Sequence, residues 1–201
     1  MKLHSLHYFS GIVLFCFISL HLTNHLIALQ GVEEHIQWMN AIRMVYRNPF
    51  IESILLLAVC TQVYSGIRLF KQTKHTAQTR FDQVQRWSGL YLALFFCIHL
   101  SAVAAGRWVL HLDTNIYFGI AGLNTFPLNL FFVPYYTMAV VAFFAHLAAV
   151  HARKMKHTFW GLQPSDQALV ILFTGAVLAL VLMYALTDGF AGVPIPKEYQ
   201  L

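Results

Sequence analysis

Apolar runs separated by short polar connections set the pattern of this chain. A helix needs about 20 mainly apolar residues to cross a bilayer core. Five segments reach that length, near 8–29, 50–71, 87–108, 132–153 and 167–187. Asn48-Pro49 and Gln163-Pro164-Ser165-Asp166 read as helix starts, since proline suits a first turn and aspartate its positive end. The last run, Ala168 to Leu186, holds no charged residue and reads as a lipid-facing or packing helix. The connection over 109–131 is too long for a tight turn. It carries Asn115, Gly119, Gly122, Asn124 and Pro127 among apolar residues, and a short interfacial helix lying across the end of the bundle is expected there. The expected fold is a single all-α integral membrane domain over 1–201, with its first four spans forming a four-helix bundle.

Composition agrees. Of 201 residues 58% are hydrophobic and 10% charged, and mean hydropathy is +0.60, whereas a soluble domain is about 25% charged. The formal charge of +5 reflects lysine and arginine beside the spans rather than a nucleic-acid surface. Lys71, Lys74, Arg80 and Arg86 oppose only Asp82 in the second loop, and Arg153, Lys154 and Lys156 oppose Asp166 in the fourth. The first loop mixes Glu33 and Glu34 with Arg43 and Arg47, and the third has little beyond Arg107 and Asp113. Positive-inside bias therefore puts loops two and four and the N-terminus in the cytoplasm, with the C-terminus outside. Cys16, Cys60 and Cys97 lie in apolar runs without a C-x-x-C or C-x-x-C-H spacing, and read as packing residues. The first run lacks a small-residue cleavage site and reads as a retained helix.

Chemistry enters through a repeat. His7-Tyr8-Phe9-Ser10-Gly11 is followed ten residues after its glycine by His21. Gln85-Arg86-Trp87-Ser88-Gly89 is followed at the same interval by His99. A histidine inside a membrane helix is costly unless bound or paired. Two at matched depth suggest one object held between helices, and haem suits a pair of neutral imidazoles. Lying roughly 13 residues in, or about 20 Å at the helical rise, His21 and His99 form an outer layer as candidate axial ligands of one haem b. His25, one turn beyond His21, is the alternative ligand. Spans two and four place Gln62 and His146 in an inner layer. A glutamine amide is a poor iron ligand, so that layer is left with three readings: a five-coordinate haem, a quinone hydrogen-bonded by His146, or neither.

The other histidines carry less. His4 and His7 sit at the cytoplasmic end of the first span and His151 ends the fourth, while His35, His75, His111 and His157 fall in loops, where solvated or interfacial roles are expected. Arg86 and Ser88 enter the third span together. They suit a quinone carbonyl or a haem propionate, as does His7, and the competing reading of Arg86 is a snorkelling anchor beside Trp87.

At these residues the chain resembles the cytochrome b membrane anchors of succinate dehydrogenases and fumarate reductases, nearest the single-chain, five-helix, two-haem type of bacterial succinate:menaquinone oxidoreductases. The likeness rests on His7 to Gly11, on Gln85 to Gly89 with His99 following, on Gly66-Ile67-Arg68 ending the second span, and on His146 in the fourth. It covers nearly the whole chain. Each motif is loose, and the joint spacing carries the likeness. The resemblance implies haem b, a quinone substrate, flavoprotein and iron–sulphur partners on the cytoplasmic side, and a bacterial cytoplasmic membrane. It pairs His21 with His99 at the outer haem. The inner haem would need Gln62 and His146, and Gln62 stands where the family has histidine.

The chain has neither a dinucleotide-binding glycine pattern nor a cysteine set for an iron–sulphur cluster. It is therefore expected to be non-catalytic alone, as an electron-transfer subunit. Two rival readings are a cytochrome b of a hydrogenase or formate dehydrogenase type complex, and a haem-free transporter whose histidines line a proton path.

Overall fold

In a computed structural model, which describes residues 3–73 and 79–200, the chain forms seven α-helices. They are α1 (Leu3–Ile27), α2 (Val32–Tyr46), α3 (Pro49–Gln72), α4 (Arg80–Trp108), α5 (Ile116–Ile120), α6 (Asn129–Lys154) and α7 (Pro164–Leu186), followed by a 3-10 turn at Lys197–Tyr199. Helices α1, α3, α4, α6 and α7 are long and apolar enough to cross a membrane, which marks a multi-pass membrane protein. Of the loop residues weighed above, Lys74 and His75 lie outside the described residues.

The five spans fall where the apolar runs are, but all start earlier than expected, and in α3, α4 and α7 the early start follows from a capped, partly polar first turn. The side chain of Asn48 accepts from Phe50 N at 3.0 Å with Pro49 behind it. Gln163 and Asp166 cap α7 around Pro164. Helix α4 gains most: Thr79 Oγ1 accepts from Asp82 N and Asp82 accepts from Thr79 N, at 3.1 and 3.0 Å. This capping box carries the helix through Arg80 to Arg86, a stretch too charged to resemble a span.

Two further helices depart from expectation. The first loop folds as the amphipathic α2, after a turn in which Gly31 takes a φ of 134° open to glycine alone. His35 and Met39, one turn apart, are its buried face, and Glu33 and Glu34 are exposed. His35, expected to be solvated, is only 1% exposed. His111 and His157 are exposed, as loop positions suggest. Helix α5 forms in the third loop, but Ile116 and Ile120 bury it within a core rather than along a surface.

That core, built from Ile116, Ile120, Leu123, Val140, Ala179, Leu182, Met183 and Leu186, closes one end of the bundle. Arg43 forms a paired contact with Asp113 at 2.9 and 3.1 Å, Arg47 donates to Thr114 Oγ1 at 2.9 Å, and Arg107 pairs with Glu52. These ties hold α2 and the third loop across the same end. Burial explains the roles of the spans. One third of the most apolar stretch of α7 is buried, 33%, against 11% in α1, α3 and α4. Helix α7 is thus a packing helix clamped on α6, with Gly175 against Phe144. Cys16, Cys60 and Cys97 lie on exposed helix faces rather than in packing, and carry free thiols.

Burial, helped by the Arg43 guanidinium, holds the His35 imidazole down at about 4, below its ordinary 6.5. His25 Nδ1 and the Asn24 amide are its contacts from α1. A depressed imidazole contributes stability that is whole above pH 6.5 and fades as pH falls toward 4, about 2 kcal/mol of it by pH 5. Amide exchange of α2, corrected for intrinsic pH effects, should speed between pH 7.5 and 5 in the native chain. In His35→Gln it should hold level.

Candidate functional site

Helices α1, α3, α4 and α6 surround a cavity of about 550 Å³ that opens at the end where α1 begins. Its walls include apolar Leu14, Ile18, Leu92, Phe96 and Phe143, and its depth ends one helical turn short of His21 and His99. Histidines stand at two depths along this axis.

In the layer at the cavity, His7 of α1 faces His146 of α6 with ring centres 6.5 Å apart. The hydrogen bonds fix both rings. Ser65 donates its hydroxyl proton to the Thr61 carbonyl at 2.6 Å, so its oxygen accepts from His7 Nδ1 at 2.8 Å. The Gln85 carbonyl, which only accepts, lies 3.2 Å from His146 Nδ1, with Ser88 Oγ at 3.3 Å. Both rings therefore carry their proton on Nδ1 and leave Nε2 unprotonated, the arrangement a metal-binding imidazole uses.

Gln62 turns toward α1 rather than pairing with His146 as expected. Its Oε1 accepts from Ser10 Oγ at 2.6 Å, which aims its amide nitrogen at His7 Nε2, 3.3 Å away. Glycines seat these groups closely. A Cβ on Gly89 would stand 3.1 Å from His146 and one on Gly11 3.3 Å from the Gln62 amide, while one on Gly66 would make ordinary contact with His7 at 3.5 Å. The Ser-Gly repeat thus builds the layer that holds His7, a residue the spacing argument placed at the interface. The signal was present, since His7 stands four residues before Gly11 inside the motif.

In the second layer His21 of α1 faces His99 of α4 at 6.3 Å between ring centres. Phe17 stacks on His21, Phe95 stacks on His99, and Tyr136 meets His99 edge-on. His25 lies beside His21, Nε2 to Nε2 at 3.2 Å, and its Nδ1 is 3.3 Å from His35 Nε2, which also accepts from Asn24 Nδ2 at 3.1 Å. The contacts run in one chain from His21 through His25 to His35 and Asn24. His21 Nε2 is thus engaged by His25, a contact it would exchange for the iron on ligation. The space there is small, about 20 Å³ between His21, Phe17, Met39 and Tyr46.

Ser88 is buried, donates to the Val84 carbonyl at 2.6 Å and supports His146 from behind, so it does not reach the cavity as a quinone or propionate ligand would. Arg86 does line the cavity. Its guanidinium lies 4.6 Å over the Phe70 ring, it donates to Gln83 at 3.2 Å, and its Nε is buried with no partner. Arg153, held by Gln85 Oε1 at 2.8 Å, and Lys154, 4.3 Å over the Tyr8 ring, join Arg86 and the carboxylate of Asp82 in a mouth of net positive charge.

The chemistry of these groups fits haem. A metal–imidazole bond is about 2.0–2.1 Å, so two rings gripping one iron have centres roughly 6 Å apart. Both pairs have that separation. Among the described residues no three His, Cys, Asp or Glu side chains converge as a bare metal ion would require, and a haem iron asks only two axial ligands of the protein. Room differs between the layers. The cavity lies within the range of cofactor pockets, about 300–1,000 Å³, whereas at His21 side chains such as Phe17 and Met39 would have to turn aside. No protein-family model, curated protein or solved structure matches this chain.

Proposed function

We propose that this protein is a haem b membrane anchor that carries electrons between an iron–sulphur subunit and a membrane quinone, as its resemblance to succinate dehydrogenase and fumarate reductase anchors implies. The observation that carries this reading is the facing of His21 and His99, on different spans, at a separation one iron bridges. Bound haem supplies one-electron redox chemistry, and reduction of each quinone consumes two electrons from the iron–sulphur donor and two protons. The residues of this chain do the rest. His21 and His99 would ligate, Phe17 and Phe95 hold their rings, and the apolar helix faces exclude water. Arg86 offers a free Nε–H donor at the cavity mouth, placed for a quinone oxygen or a propionate.

The same end is where a soluble partner would dock. Lys71, Arg80, Arg86, Arg153, Lys154 and Lys156 cluster at the ends of α3, α4 and α6, and the positive-inside bias assigns that end to the cytoplasm. The test is a reduced-minus-oxidised spectrum of the detergent-purified protein, with a pyridine haemochrome count. A b-type spectrum with at least one haem per chain is expected. Colourless protein, produced with haem in ample supply, would sink the reading and favour a transporter whose histidines pass protons.

A further inference from the structure

We propose that His7 and His146 are the axial ligands of a second haem b, seated in the 550 Å³ cavity, so that α1 supplies one ligand to each of two haems. This rests on the reading of the chain as a haem anchor. It departs from the ligand pair that the resemblance implies, in which Gln62 would oppose His146.

Four independent features converge on the site. The two rings face each other at 6.5 Å, close to the 6.3 Å of the other pair. Each ring has its Nδ1 proton engaged, by Ser65 or by the Gln85 carbonyl, so each Nε2 is unprotonated, that of His7 being held by the Gln62 amide. The cavity supplies apolar walls of a cofactor's scale, and Gly89 is the cradle that lets α4 lie against His146. At its mouth Arg86 holds an unpartnered buried Nε, with Arg153 and Lys154 alongside. Two propionates are dianionic together and suit that cationic rim.

Gln62 then has a defined role. Its amide is anchored by Ser10 and reaches His7 Nε2, so it holds the His7 ring in line when no iron does. On ligation it gives up one neutral hydrogen bond and keeps the other. Gln62 and Ser65 are positioning residues, and His7 does what a histidine on α3 would otherwise do.

The experiment uses the full chain, purified in detergent as wild type and as His7→Ala, His146→Ala, His7→Met and His99→Ala. Each is read by haemochrome count, low-spin electron paramagnetic resonance and redox titration. Two haems per wild-type chain are expected. His7→Ala and His146→Ala should each retain one and lose the same signal, while His99→Ala loses the other. His7→Met should keep two haems with one potential raised, since methionine in place of histidine raises it; a merely structural role would leave both potentials in place. Should the alanine variants fail to fold, His7→Met alone decides. Wild-type haem whose count and potentials ignore substitution at His7 and His146 overturns the inference and leaves the anchor reading intact. A cavity that binds quinone alone would give that result. Wild type without haem overturns both.

Discussion

His99→Ala is expected to abolish the low-spin bis-imidazole signal of the His21 layer and to lower its haem affinity more than a hundredfold, beyond the roughly 10–100-fold range that losing a mere supporting hydrogen bond costs. His99 is the histidine that α4 brings to that depth, and the ring it faces, His21, stands 6.3 Å away. Phe95 stacks on His99 at 5.2 Å and would collapse into the space left, so that water would not readily replace the ligand. His21→Ala should match this loss. His25→Ala should keep the haem and shift its potential, because His25 sits behind His21 in the chain that runs to His35. The reverse order, with His25→Ala losing the signal and His21→Ala keeping it, would move the ligand one turn along α1. An unchanged low-spin signal in His99→Ala would remove the assignment.

The second large effect concerns packing. Gly175→Ala should destabilise the protein by about 1–3 kcal/mol, the usual cost of forcing volume into a packed contact, which corresponds to a midpoint lowered by roughly 2–12 °C at this chain length. An alanine Cβ at Gly175 would stand 2.2 Å from Phe144 Cβ, and that atom is fixed to the α6 backbone, so the helices themselves must part. The contact between α6 and α7 would loosen. Gly119→Ala is the control, since a Cβ there meets nothing within 4 Å. Thermal melts in detergent would show the difference, and equal midpoints for the two variants would mean that α7 does not clamp α6 as described.

Sequence periodicity was enough for the number and order of the spans because twenty apolar residues have few other uses. It misjudged their starts because capping boxes such as Thr79 and Asp82 are polar, and polarity outside a run looks like loop. Helix α2 was invisible for a related reason. Its apolar face is narrow, and Glu33, Glu34 and Arg43 dilute the average over any window. At the site, His21, His99 and His146 stand in the bundle interior, as their depth within apolar runs suggested. The place of His7 opposite His146 was hidden by its address near the end of a run. Only three-dimensional placement shows that α1 starts early enough to set it a full turn inside, opposite His146. Gln62 illustrates the converse: alignment of spans put it beside His146, while one hydrogen bond from Ser10 turns it to α1.

Both histidine layers draw on α1, and a helix is a stiff object. His7 and His21 are 14 residues apart, about 21 Å of rise, and their directions differ by only about 40° around the axis. Their separation is therefore written in backbone geometry rather than in side-chain packing or loop length. A bilayer thinner or thicker than the spans is met by tilting, and a tilt of α1 moves both imidazoles as one rigid piece. Lipid composition can thus change how the protein leans without stretching the distance between its two polar centres.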